Sequence, residues 1–185
     1  MAHTTQRQSF VARLLGLALL GAVIAAPAFA QPAPPQASDK VHANDWAWME
    51  KAARAGVAEV QAGQIAAGKA SNAQVRTFAE QMVTDHGKAN AELKEIASKK
   101  GITLPEQPDN NHKQLIGKLQ KLTAGSRFDE EYVTRAGVID HTDAVKHFKN
   151  GAKNLRDPEI KAFAEKTLPT IEGHLTMAKK LNGQG

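Results

Sequence analysis

The sequence predicts an all-α protein, a four-helix bundle with a short extra helix between helices two and three. Alanine, leucine, lysine and glutamate recur at helical spacing, whereas the period-two alternation of strands is almost missing. Only 5% of the residues are aromatic. Residues 43–183 form the bundle and suit one domain, and they are long enough to bury a core without a partner subunit. A monomer and a dimer are both compatible with that length.

Residues 1–30 are predicted to be a cleavable export signal. Arg7 and Arg13 lie in a start that carries no acid, and an apolar run over residues 14–30 ends in Ala28-Phe29-Ala30. This run lies at the short edge of the roughly 17–25 residues that span a bilayer, so an uncleaved anchor is the alternative. The signal indicates a periplasmic or secreted bacterial protein. After cleavage no integral membrane segment is expected.

Composition excludes several classes of function. The chain has no cysteine, which excludes disulfides, thiolate chemistry and a lipoprotein anchor. The signal holds two of the 24 basic residues and none of the 19 acids, so the mature chain carries about +3. That mild, dispersed charge argues against nucleic-acid binding.

Residues 31–42, which begin QPAPPQASDK, are predicted to be a flexible Pro/Ala-rich tether.

Helix-capping residues and prolines divide the rest of the chain into helices. Asn44 or Asp45 is the expected cap of helix one, which runs to residue 69, and Ser71 is the expected cap of helix two, over residues 72–100. A loop with two prolines and a short helix over residues 112–122 follow. Helix three covers residues 127–150. Asp157 and Pro158 open helix four, which ends near residue 182.

One acidic or imidazole side chain lies on or beside the apolar stripe of each long helix. They are Glu59, His86, His141 and His174. A polar group on such a stripe is costly unless it has a partner, and bundles build metal and cofactor sites from inward groups on facing helices. Small neighbours of Glu59, such as Gly56 and Gly63, allow close helix packing or leave space for a ligand.

Counting residues from the helix ends tests whether the four groups lie at one level. At 1.5 Å per residue, Glu59, His86 and His141 fall within roughly one to two turns of each other. By the same count His174 lies one to two turns away from that level, which makes Glu165 and Glu172 the other candidates on helix four. Pro169 bends helices and can change this count.

Three readings of these four residues stay open. In the first they bind one divalent transition metal ion, for which imidazole suits zinc, copper, iron or nickel, and Asp85 and Asp140 orient the ligands. In the second each histidine is a core residue hydrogen-bonded to a carboxylate, to Tyr132 or to Thr167. In the third the four groups do not converge.

The other histidines and the tryptophans have simpler expected positions. His42, His112 and His147 are expected on the surface or in loops. Trp46 and Trp48, near the start of helix one, are expected to seal one end of the bundle.

The chain resembles the domain-of-unknown-function 4142 family of exported bacterial proteins. The resemblance is carried by AGVAEVQAGQIAAGKASNAQVRTFAEQMVTDHGKANAEL, GITLPEQ, FDEEYV with IDHTDAVKHF, and DPEIKAFAEKTLPTIEGHL. It implies a ferritin-like fold and an exported location, and it implies no agreed activity. The family's recurring polar pattern matches Glu59, His86, His141 and His174. Di-iron bundles of ferritin type use Glu-x-x-His, but residues 83, 138 and 171 are Val, Val and Ile, so two-iron chemistry does not carry over.

Three functions compete at this stage. One is an exported protein that binds a metal ion or small ligand in its core. Another is a structural or stress-related interaction module of the cell envelope, with an envelope protein as partner and the four groups as a hydrogen-bond network. The third is a metal-dependent enzyme, which needs an open coordination position and a cavity. No separate acid–base pair supports the enzyme.

Overall fold

The structure is a computed structural model, and it describes residues 41–183. The described part contains α-helices and one π-helical segment and has no strand, and none of its helices is long and apolar enough to cross a bilayer. The export signal and residues 31–40 of the tether lie outside the described residues. The elements in chain order are α1 (Ala43–Lys69), α2 (Ala73–Lys99), α3 (Asn110–Lys121), α4 (Ser126–Tyr132), the π-helical segment (Val133–Asp140), α5 (His141–Asn154) and α6 (Pro158–Leu181).

The third long helix of the bundle is made of three consecutive elements. Tyr132, Val133, Asp140 and His141 all keep right-handed helical backbone angles, so α4, the π-helical segment and α5 form one continuous rod. This rod packs with α1, α2 and α6 as the four-helix bundle, and the short α3 packs against α1 and α4. The predicted all-α fold and its extra helix are confirmed.

Two of the expected helix caps are wrong, and one is right. The ring of His42 accepts from the backbone N–H of Asn44 and caps α1, so the last two tether residues, 41 and 42, belong to the folded domain. The cap of α2 is Asn72, because the hydroxyl of Ser71 is bound to Asp129 instead. Asp157 caps α6 through the N–H groups of Glu159 and Ile160, as predicted.

Buried carboxylates join the turns of the bundle at both ends. Asp45, which is 1% exposed, accepts from the backbone N–H groups of Arg156 and Asp157 at the start of α6. Asp129 accepts from the backbone N–H groups of Ser71 and Asn72. Each carboxylate satisfies donors that helix ends leave without partners, and each links segments far apart in the sequence.

The apolar core has two halves with a polar layer between them. One half is built around Met49, Leu93 and Phe163. The other is built around Met82 and Tyr132. On every long helix the residue of the polar layer lies between the members of the two halves, so Glu59, His86, His141 and His174 fall at the same depth.

Trp48 closes one end of the bundle, and Trp46 does not. The Trp48 indole N–H donates to the carbonyl of His147 at 3.0 Å, and the two rings stack 5.0 Å apart. Gly151 lets the indole lie directly on α5. Trp46 is 38% exposed. The expected surface position of His147 is therefore wrong, because its ring is half-buried against Trp48.

Candidate functional site

Three histidine rings from three helices meet in the polar layer. The ring centres of His86, His141 and His174 lie 5.3 to 5.5 Å apart. One nitrogen of each ring lies within 4.8 Å of a nitrogen of the other two, and the Nε2 atoms of His86 and His141 are 3.3 Å apart. All three side chains are buried. The sequence-predicted convergence of the histidines is present in the structure.

The ring of His141 is oriented by the backbone of the π-helical segment. Its Nδ1 lies 2.8 Å from the carbonyl oxygen of Ala136, and since a carbonyl only accepts, Nδ1 carries the proton. The neutral ring therefore presents the lone pair of Nε2 to His86. π-Helical turns are rare in proteins, and those that occur are frequently found at functional sites. Here the π-helical segment ends directly before His141.

His174 is held by a carboxylate on one side and lacks a partner on the other. Its Nε2 donates to Asp85 Oδ2 at 3.0 Å. Its Nδ1, which then carries the lone pair, is buried and has no hydrogen-bond partner among the described residues. The helix count that set His174 one to two turns away assumed aligned helix ends and a uniform rise, and the π-helical segment before His141 breaks that assumption.

Glu59 lies next to the three histidines but is not part of their cluster. Its Oε1 is 3.7 Å from Nδ1 of His141, which is the ring edge opposite the one that faces His86. Its Oε2 is buried and finds no hydrogen-bond partner within residues 41–183. Burial, with a smaller contribution from the charge of Asp140, raises the pKa of Glu59 well above its ordinary value.

The two aspartates expected to orient ligands have different surroundings. Asp85 contacts His174 directly. Asp140 lies with its Oδ2 4.0 Å from Nε2 of His112. His112, expected on the surface or in a loop, is half-buried at the start of α3, where its Nδ1 is 2.8 Å from Asp109. Asp85 therefore fits the orienting role, and the structure shows Asp140 next to a different histidine.

Burial keeps the imidazoles of His86 and His141 neutral. Desolvation, reinforced by the neighbouring histidines, lowers the pKa of His86 well below its ordinary value. Desolvation lowers the pKa of His141 to about 4, against which the bond to Ala136 acts only partly. Both rings are therefore uncharged at pH 7, and a neutral imidazole is the form that binds a metal ion.

Of the alternative partners proposed for the histidines, Tyr132 and Thr167 do not take that role, whereas a carboxylate, Asp85, does for His174. The hydroxyl of Tyr132 is buried without a hydrogen-bond partner in the described part of the chain, and burial raises its pKa. Thr167 lies in the wall of a cleft. The partners found are the Ala136 carbonyl and Asp85. No sequence signal identifies that carbonyl, because it becomes available only through the irregular backbone of the π-helical segment.

A cleft of about 670 Å³ opens beside the polar layer. It is lined by α1, α2, α3, the third long helix and α6, and Glu59, His86 and Asn90 are part of its wall. His86 is 9% exposed, whereas His141 and His174 are 0% and 1% exposed. The histidine group is therefore approached from the His86 side.

A solved structure has a similar fold. The crystal structure of a DUF305 fragment from Deinococcus radiodurans matches with a TM-score of 0.68 and 12% identity, over 78% of this chain and 99% of that one. At that identity the likeness shows the fold alone, and it agrees with the predicted all-α bundle.

The family of the chain is shown by its sequence. The search of the curated proteins found no match. The model of the domain of unknown function DUF4142 matches residues 30–181, which is most of the chain and includes every residue of the polar layer. The chain belongs to the DUF4142 family.

Proposed function

We propose that this chain is an exported protein of the bacterial periplasm or medium that holds one divalent transition metal ion between His86, His141 and His174. The observation that carries the proposal is the buried Nδ1 of His174, which lacks a hydrogen-bond partner among the described residues while its Nε2 is fixed by Asp85. An unsatisfied buried acceptor is costly. A bound metal ion would satisfy it.

The spacing of the nitrogens suits a metal ion. Two ligands of a tetrahedral ion with bonds of about 2.0–2.1 Å lie about 3.3 Å apart. The Nε2 atoms of His86 and His141 are 3.3 Å apart. One nitrogen of each of the three rings lies within 4.8 Å of a nitrogen of the other two, so the widest of these separations exceeds the tetrahedral spacing by at most roughly 1.5 Å.

The surroundings of the ligands support the same role. Asp85, His174 and a metal ion form the carboxylate–histidine–metal arrangement that orients ligands in many sites. The Ala136 carbonyl does the same for His141. Glu59 contacts His141 on its far edge, so we assign it to the surroundings and not to the ligand set. Three imidazoles suit zinc, copper, iron or nickel.

The test is metal analysis of the exported chain. We would express the full gene with its own signal, purify the protein from the periplasm and determine its N-terminus, which we expect at Gln31. Metal content and melting temperature are then measured with Zn²⁺, Cu²⁺, Fe²⁺ and Ni²⁺. We expect about one equivalent of one metal and a rise in melting temperature.

Variants separate the core site from adventitious binding. His86→Ala should abolish both the bound metal and the rise in melting temperature. His147→Gln is the matched control, because His147 is a half-buried histidine that stacks on Trp48 away from the cluster, and it should keep both. If no metal binds and no ion raises the melting temperature, the histidines are a hydrogen-bond network, and the envelope interaction module becomes the favoured function.

A further inference from the structure

We propose that the cleft beside His86 binds a small organic molecule with an apolar body and an oxygen-donor head group, and that the head group takes the coordination position left open by the three histidines. This inference rests on the proposed metal site. It adds a ligand class and a binding pocket to that site.

The cleft has the size of a ligand site. Its volume of about 670 Å³ lies within the range of roughly 300–1,000 Å³ that is common for small-molecule pockets. The space exists because small residues line it from three helices: Ala52, Ala55, Gly56, Ala89 and Ala144. Larger side chains at these positions would fill the cleft.

One part of the cleft wall is apolar. Leu93, Phe148, Phe163 and Ile171 line it from α2, α5 and α6, and all four are buried members of one core half. An apolar group placed against them is removed from water and gains the free energy of that transfer. The wall therefore selects a ligand that has an apolar body.

Another part of the wall lies at the depth of the histidine group. Glu59, His86 and Asn90 line the cleft there, with Asn90 one helical turn beyond His86. Three protein ligands leave a fourth position of a tetrahedral ion open. The Glu59 side chain is 7% exposed, and its Oε2 has no hydrogen-bond partner among the described residues. That oxygen can bond a polar group of a ligand in the cleft.

The experiment compares two probes on the exported, Co²⁺-loaded chain. Benzohydroxamate and acetohydroxamate share the oxygen-donor head, and only the first has an aromatic body. The visible Co²⁺ bands report a new ligand. We expect both probes to change the bands and benzohydroxamate to bind on the order of tenfold more tightly, because its ring lies against the apolar wall.

Two variants fill the cleft without touching a histidine. Ala144→Leu and Ala55→Leu each place a larger side chain in the cleft wall, and each should reduce benzohydroxamate binding to the acetohydroxamate level while Co²⁺ affinity is retained. Ala162→Leu is the control, because Ala162 is exposed on α6 outside this cleft. Circular dichroism and melting curves check that each variant folds.

The outcomes separate this inference from the proposed function. The proposed ligand pocket is contradicted if the two probes bind with equal affinity. It is also contradicted if benzohydroxamate binding is unchanged in both filled variants. Co²⁺ binding with no band change on adding either probe also overturns the pocket and leaves the metal site standing. A chain that takes up no Co²⁺, measured by equilibrium dialysis, overturns both.

Discussion

The ring of His174 shows how one residue can be prepared for a ligand. A carboxylate fixes its Nε2 proton, and its second nitrogen faces a buried space without a hydrogen-bond partner in residues 41–183. A histidine that served only packing would be expected to use both nitrogens or to expose one. The partner that fixes it, Asp85, is itself 26% exposed at its side chain, so the pair links the buried layer to the surface of α2.

Asp85→Asn should lower metal affinity by about 10- to 100-fold, because the neutral amide holds the His174 ring less firmly and makes it less basic. Competition with a chelator of known affinity measures the change. Asp143→Asn is the control, since Asp143 is an exposed partner of Lys146. Equal affinities of the Asp85 variant and the wild-type chain would remove Asp85 from the site.

Glu59→Gln should change the pH dependence of stability in the metal-free chain. The pKa of Glu59 is raised above 4.5 in the folded state. Its contribution to the free energy of unfolding is therefore fully present below pH 4.5 and is lost as the pH rises towards the raised pKa. The glutamine has no such loss. The variant should therefore gain stability relative to wild type by up to about 1.4 kcal/mol per pH unit above pH 4.5.

Urea unfolding of the EDTA-treated proteins over this pH range measures the difference. His86 and His141 act in the opposite direction, because their lowered pKa values cause stability to be lost as the pH falls below 6.5. They are present in both proteins, so their effect cancels in the comparison. A stability difference that does not vary with pH would show that Glu59 titrates normally.

The π-helical segment is the element that places His141. It changes the helical register between Tyr132 and His141 and brings the Ala136 carbonyl within 2.8 Å of the ring. Gly137 within it allows α6 to approach, because a Cβ there would lie 2.9 Å from the Cβ of Ala178. The segment therefore sets the distance between the helices that carry His141 and His174.

Gly137→Ala should cost roughly 1–3 kcal/mol of stability, because the added methyl overpacks the contact with α6, and it should weaken metal binding by moving His174. Gly117→Ala in α3 has open space around it and should instead stabilise the chain by about 0.5–1 kcal/mol. Urea unfolding and a metal titration of both variants test this. The interpretation fails if both substitutions stabilise the protein equally.

At the scale of the whole molecule, buried carboxylates tie distant turns together. Asp45→Ala should cost about 2–4 kcal/mol, because it leaves the backbone N–H groups of Arg156 and Asp157 without their acceptor at a buried position. Asp143→Ala, at an exposed site, should change stability by less than about 0.5 kcal/mol. Chemical unfolding measures both, and similar values would show that the Asp45 link contributes little.

The bundle follows from the sequence because its signals are repeated over many residues. The apolar stripes of the long helices and the cap at Asp157 were predictable, since helical periodicity and capping are local. The inward positions of His86 and His141 follow from the same stripes. Asp45 was misjudged as a cap because its partners lie at residues 156 and 157, and the depth of His174 was misjudged because the π-helical segment has no sequence signature.

The central claim is that three histidines hold one metal ion, and an anomalous-difference map tests it most directly. Crystals of the exported chain loaded with the preferred metal would be measured at that metal's absorption edge. We expect a single strong peak about 2.0–2.1 Å from nitrogens of His86, His141 and His174. Peaks confined to surface groups such as His42, or no peak at the cluster in a fully loaded protein, would contradict it.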